Sequence, residues 1–406
     1  MKIAIVGGGI GGLAAAISCA ESGNKVVVLE RRDEFTEFGA GIQLAPNAFH
    51  ALDYLGVGDQ VRERAVQIGE LRLMDGLTGN VITRLPLGKN YQDKFENPYM
   101  VVHRTDLYYP LLDACRANDL IELRTSCKVN GYQQTDTGAR VIMSNGDYVT
   151  ADMVIGADGL HSVVRQQLVG DGGPRVSGHT IYRSVIPMEK VPKELQWDAV
   201  ALWAGPKWHF VHYPIAGGKF MNLAATRDNQ APKAVAGESI SHSTVITEFE
   251  GMDDVAKNLL QLGEGWKKWV MCDRDPVDNW TDGRVALLGD AAHPMLQYAA
   301  QGACMALEDA VTLGEIIKQN INNSPQSLLR EYNVIRRNRA AKVVTTARGM
   351  GEQVYHPAGD KAFKRNVSLG SLTPNEIHNK IEWLHGMRPP YFGESPAEAS
   401  SFKKIA

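Results

Sequence analysis

A chain of 406 residues, 44% hydrophobic and 22% charged, is long enough for two packed cores or for one large domain carrying an inserted second one. Its formal net charge of −3 gives no general attraction to nucleic acid or to an anionic membrane, and no apolar stretch is long enough to span a bilayer. Five scattered cysteines without metal-ligand spacing, and a Met1 that leads into the first motif with no charged leader, point to a reduced, cytoplasmic, metal-free protein.

Residues Lys2 to Val6 read as a short buried strand that stops at glycine. Gly7, Gly9 and Gly12 then occupy the three positions of G-x-G-x-x-G: a tight turn, a close backbone approach to a pyrophosphate, and close packing of helix on strand. The helix from Ile10 to about Ser22 is rich in Ala and Leu and ends at Gly23, and its N-terminus offers free N–H groups to a diphosphate. A second strand, Lys25 to Leu29, ends at Glu30, where an acid accepts hydrogen bonds from an adenosine ribose. Strand, helix, strand and terminal acid together make a dinucleotide site a far better explanation than a bare glycine turn.

After Arg31-Arg32 a glycine-broken loop, residues 38–43, runs into a predicted helix from Asn47 to Leu55. Gly39 and Gly41 suit a loop that lies flat against a ring or moves. Alternating residues from about Gly69 to Leu87 predict strands outside the nucleotide core. The run 100–107 returns to it, with Thr105 as predicted N-cap of a helix Leu107 to Ala117 and Arg104 placed for an anion contact. A hairpin turns at Asn145-Gly146-Asp147. A buried strand then ends at Asp158-Gly159, and alternating strands through about Met271 predict a second, antiparallel sheet inserted into the first domain. The core resumes at 283–290, again ending at Gly289-Asp290. Gly302 opens a predicted helix Ala303 to Lys318, and a later one, about Leu328 to Thr346, carries Arg330, Arg336, Arg337, Arg339 and Lys342, read most simply as a solvated face. The last sixty residues say little.

Gly7-x-Gly9-x-x-Gly12 with Glu30, then Asp158-Gly159, then Gly289-Asp290, with a sheet domain between the last two, resemble the single-component aromatic hydroxylases that use FAD and NAD(P)H. The resemblance runs to about residue 345. It implies an α/β fold: a Rossmann-type FAD-binding domain (1–68, 98–178 and 276–345), an inserted, mainly antiparallel substrate domain (69–97 and 179–275) and a helical C-terminal segment (346–406). Residues 207–214 and 291–298 look most like the branch that converts 3-hydroxybenzoate to gentisate. Hydroxylation of salicylate with loss of CO2, or of 6-hydroxynicotinate, are the alternatives, the latter suited also by residues 301–306.

By this resemblance Gly7, Gly9, Gly12, Glu30 and Arg31 would hold the ADP half of FAD, and Arg104 its ribityl or phosphate region. Asp158 and Gly159 would serve FAD and the nicotinamide, Asp290 the ribityl chain, and the N–H groups near Gly302 and Ala303 the negative charge of the reduced ring. The competing reading of Asp158 and Asp290 is a turn carboxylate capping the next segment. The reaction needs a base beside a phenol, and His209 is the candidate. In an extended strand His209, Val211 and Tyr213 share one wall while His212 faces away. Tyr213 would hold the substrate's carboxylate or hydroxyl, and Gln297 would orient it from the flavin side. The plain reading of His209 is a satisfied core histidine. His293 is a rival base whose place before Pro294 suggests that it shapes the loop. The expected co-substrates are O2 and NADH rather than NADPH, and the expected assembly is a homodimer without nucleic acid or membrane. An NAD-dependent dehydrogenase leaves the later two motifs unexplained, and a non-enzymatic FAD or light-sensing module is the remaining class.

Overall fold

The computed structural model describes residues 1–390 except 38 and 40, so part of the loop 38–43 and the end of the C-terminal segment lie outside the described residues. Five parallel strands form the nucleotide sheet in the order Ile121–Arg124, Lys25–Leu29, Lys2–Val6, Met153–Gly156 and Val285–Leu287, with a two-residue antiparallel edge at Thr281–Asp282. Lys2–Val6 and Lys25–Leu29 are buried except at their leading lysines, as expected of strands covered on both faces. The helices Ile10–Ala20 and Arg104–Arg116 pack over this sheet, and Gly302–Gln319 packs against Ile10–Ala20. Sequence order reverses between Lys2–Val6 and Met153–Gly156. That switch point opens a crevice at the carboxyl ends of the two strands, where such sheets bind ligands.

The inserted strands form an eight-stranded sheet: Ala236–Ser239, Lys267–Asp273, Arg175–Pro187, Phe220–Asp228, Trp208–Ile215, Ala199–Gly205, Glu70–Asp75 and Val81–Pro86. All pairs are antiparallel except Ala199–Gly205 with Glu70–Asp75. Alternation decides what each face meets. Trp208 and Phe210 pack with Val245 and Leu259 of the helices His242–Glu248 and Asp254–Gln261 and with Phe249 just after the first, while Val211 and Tyr213 point to the other side.

Two local expectations are corrected. The helix predicted from Leu107 begins at Arg104, because the His103 ring accepts the Thr105 N–H and takes the capping role assigned to Thr105. The arginine-rich helix, Pro325–Met350, is a solvated face only in part: Arg330 and Lys342 are exposed, but Arg336 is fully buried and Arg339 nearly so. Arg336 pairs with Glu308 and Asp309 at 2.8 and 2.7 Å, and Arg339 with Glu308 at 2.6 Å. This charge network ties the helix to Gly302–Gln319, and the attraction of the two guanidinium groups outweighs burial and holds the Glu308 carboxyl below its usual range. The C-terminal segment adds helices Gly359–Gly370 and Pro374–His385. Among the described residues no helix is long and apolar enough to cross a membrane.

Candidate active site

The first half of the site is backbone. Gly7 has φ +107°, and a Cβ at Gly12 would overlap the Gly7 carbonyl oxygen, so turn and helix close on one another only as glycines. A Cβ at Gly9 would instead meet nothing within 4 Å, because it faces the crevice. Val6 to Gly9 line one side of that crevice, and Ala157, Asp158 and Gly159 the other, with Glu30 and Arg31 along its floor and rim. The Glu30 carboxylate accepts the Gly8 N–H at 2.9 Å and the Arg32 N–H at 3.0 Å, and Tyr108 donates its hydroxyl to the Gly8 carbonyl.

Asp158 borders the crevice, but its carboxylate is turned to the helix Val163–Leu168. It accepts from Ser162 Oγ at 2.5 Å and from the Val163 and Val164 N–H groups at 2.8 and 3.3 Å. The capping role, set aside from the sequence, is the one its side chain performs; burial raises its pKa against these bonds. Arg104 lies at the mouth of the adjoining cavity, its Nε 3.0 Å from Glu37 Oε1. Asp290, exposed on the turn Gly289–Ala291, borders the same cavity. The turn is held from behind: His293 Nε2 is 2.6 Å from Asp309, which also accepts the Gly289 N–H, and Arg165 donates to the Ala291 and Ala292 carbonyls. His293 is therefore a loop-shaping residue, not a base facing the cavity. Arg165 was missed because nothing in its local sequence separates a buried arginine from a surface one.

The second half is a cavity of about 680 Å³ that shares Gly9, Ala157 and Gly159 with the crevice. It brings together His209, Val211, Tyr213, Gln297, Gly302 and Ala303, while His212 stacks with Trp197 and Trp203 on the far side of the sheet. His209 is buried, and its Nδ1 lies 2.9 Å from Nε2 of His356, a residue with no sequence signal of its own. His356 follows a π-helical turn, Gly351–Tyr355, that continues Pro325–Met350 and carries Tyr355 against His209. Burial, and then the neighbouring His356 and His179, hold the His209 imidazole well below its ordinary pKa. Tyr213 packs against Gly41, and burial pushes its hydroxyl up to about 12, leaving a neutral O–H. Gln297 accepts a hydrogen bond from Arg183 at 2.7 Å. Lys380, Ile381, Trp383, Leu384 and His385 close the cavity from the C-terminal segment. The amphipathic pattern of 374–385 carried helix information, but not its destination.

The residues present fit FAD. Two helices, Ile10–Ala20 and Gly302–Gln319, begin at the crevice and cavity with no side chain capping them, which leaves N–H groups for a diphosphate and for an anionic ring. The open position at Gly9 is the space a phosphate needs.

Residues 1–347 match the family described as FAD binding domain. The chain is 46% identical over 385 residues to 3-hydroxybenzoate 6-hydroxylase 1 of Aquipseudomonas alcaligenes, covering 95% of this chain and 97% of that one. It is 42% identical over 386 residues to the 3-hydroxybenzoate 6-hydroxylase of Polaromonas naphthalenivorans, covering 95% and 96%. In fold it resembles a salicylate hydroxylase in its substrate complex, with a TM-score of 0.82 at 23% identity over 98% of this chain and 97% of that one. With the motifs in order and the match spanning nearly the whole chain, the protein belongs to the single-component FAD-dependent aromatic hydroxylases, a family of monooxygenases.

Proposed function

We propose that this enzyme hydroxylates 3-hydroxybenzoate to gentisate with NADH and O2, its FAD held by Gly7, Gly9, Gly12, Glu30, Arg31, Arg104, Gly159, Asp290, Gly302 and Ala303. The observation that carries the reading is a buried histidine and a neutral tyrosine on one strand face, opposite Gln297, in a cavity continuous with a dinucleotide crevice. The near full-length similarity to 3-hydroxybenzoate 6-hydroxylases supports the substrate. Bound FAD supplies the redox chemistry, taking electrons from the nicotinamide and activating oxygen for transfer to the ring.

The protein's part is to position the phenol, take its proton and keep water out. A buried imidazolium at His209 would sit beside two more imidazoles, while the carboxylate of the cluster, Asp228, lies by His179, 3.9 Å from that ring, so His209 serves poorly as a place to store a proton. With Nδ1–H donated to His356, its Nε2 lone pair is free for the phenol. As Nε2 gains that proton, Nδ1 passes its own to His356 Nε2, and the charge at His209 does not change. His356 is half-buried, which opens a way to solvent. Tyr213 donates its O–H to the substrate, and Gln297 fixes the ring from the flavin side. Asp158 acts on both nucleotides through the backbone its carboxylate holds. A homodimer in the cytoplasm completes the reading; the free thiols of all five cysteines fit a reduced compartment.

The test is product analysis of the FAD-loaded protein with NADH or NADPH, O2 and 3-hydroxybenzoate, with salicylate and 6-hydroxynicotinate in parallel. Gentisate, formed faster with NADH, is the expected result. Catechol and CO2 from salicylate, without gentisate from 3-hydroxybenzoate, would move the substrate. No product from any of the three acids would end the substrate assignment.

A further inference from the structure

The cavity contains a cation, Arg183, that forms no ion pair with a carboxylate among the described residues. Arg183 lies in the strand Arg175–Pro187, opposite Ala224, which in turn lies opposite Val211; all three face the cavity. Its guanidinium is enclosed by the protein and accessible from the cavity, and its recorded hydrogen bond goes to the Gln297 amide oxygen, a neutral acceptor. Among the described residues no carboxylate forms an ion pair with it, and the other charge felt there is a second cation, Arg104. The contrast within the molecule is informative. Of the arginines buried elsewhere, Arg165, Arg274, Arg336 and Arg339 each meet a carboxylate at 2.6 to 3.0 Å, and Arg365, bonded to Asn366 and the Val354 carbonyl, lies within the field of Asp75.

An enclosed guanidinium without an anion costs several kcal/mol, so a site that keeps one has an anionic ligand to offset it. Arg is moreover the side chain whose planar fork matches a carboxylate with two parallel hydrogen bonds. We propose that Arg183 is the carboxylate-binding and specificity-determining residue of the cavity: it takes the carboxylate of the aromatic acid, with Gln297 bracing the guanidinium. This rests on the reading of the cavity as the seat of an aromatic acid. It assigns the carboxylate to Arg183 in place of Tyr213, which leaves Tyr213 for the hydroxyl. On this assignment His209 belongs to the neighbouring row of the same face, opposite Thr226, so acid and hydroxyl are held on different strands.

The experiment is a titration of FAD-loaded enzyme, followed by flavin absorbance, with 3-hydroxybenzoate and with its uncharged analogue 3-hydroxybenzamide. Wild type should bind the acid more tightly than the amide. Arg183→Met should weaken the acid by about 10- to 100-fold, the range of a charge-assisted hydrogen bond, and leave the amide within about threefold. Arg183→Gln, which keeps a polar group beside Gln297, should behave the same if Arg183→Met fails to fold, and Arg183→Lys should recover part of the acid's affinity. Equal weakening of acid and amide, no preference for the acid in wild type, or loss of FAD with acid binding unchanged in the loaded fraction would each overturn the proposal. The last result would assign the charge to the cofactor. Wild type that makes no gentisate, yet loses its preference for carboxylates on substitution, moves the substrate and keeps Arg183.

Discussion

The two halves of the site are built on different principles. Around the crevice a ligand would meet mainly glycine turns, strand ends and the N-terminus of a helix, contributed by stretches near 6–9, 29–37, 127–129 and 157–163. Around the cavity it meets side chains drawn from strands near 72, 183, 211 and 224, a turn at 297 and a helix at 380. The first half starts from one unbroken supersecondary unit and is completed by the ends of neighbouring strands near 124 and 156. The second needs distant parts of the chain brought together, and it carries enclosed ionisable groups bonded to neutral partners: Arg183 to Gln297, and His209, held well below its ordinary pKa, to His356. The crevice thus owes more to local backbone geometry, and the cavity more to long-range placement.

The sharpest way to break this comparison is at Gly9. Because a Cβ there meets nothing, Gly9→Val should fold yet obstruct the crevice, giving protein with native circular dichroism and almost no FAD. A fully loaded variant would refute the N-terminal assignment. Next in size is His209→Ala, which should leave FAD content and flavin reduction near normal and slow hydroxylation by about 10²–10⁴-fold. Equal hydroxylation rates would remove His209 from the mechanism and return it to the role of a core histidine.

The smallest effect concerns stability. His209 is held well below its ordinary pKa, His212 and His385 down at about 3, and His356 at about 4, in each case chiefly by burial. The folded pKa lies below the unfolded one, near 6.5, so these groups cost nothing at neutral pH. As pH falls below about 6.5 the unfolded chain binds protons that the folded chain refuses, and stability declines down to the folded values. Each histidine contributes up to about 1.4 kcal/mol per pH unit. Urea midpoints between pH 7.5 and 5 should therefore fall with acid. His212→Leu, remote from the cavity, should reduce that slope by up to one proton's worth while hydroxylation continues, whereas an unchanged slope would show that His212 titrates alike in both states.

Much of the cofactor half was legible because its chemistry is local. Glycine spacing sets which turns are possible, and a helix N-terminus follows from where the helix begins. The strand wall was legible for a similar reason: the period of two places His209, Val211 and Tyr213 on one face whatever lies opposite. The errors came where a side chain's partner lies far away in sequence. Arg336 and Arg339 read as surface charges because Glu308 and Asp309 are about thirty residues distant. The capping role of Asp158 was read as the weaker one because its bonds depend on how the next turn closes.

By itself, then, the order of residues determined the nucleotide unit, the inserted sheet and the face on which His209 sits, since backbone dihedrals and side-chain period are properties of neighbouring residues. Only the tertiary structure decided that His356 would touch His209, that the helix Pro374–His385 would close the cavity, and that Arg183 would meet Gln297 and, among the described residues, no carboxylate. Burial, and the presence or absence of a counter-charge, are set by what distant segments bring to the same place, and no local pattern encodes that.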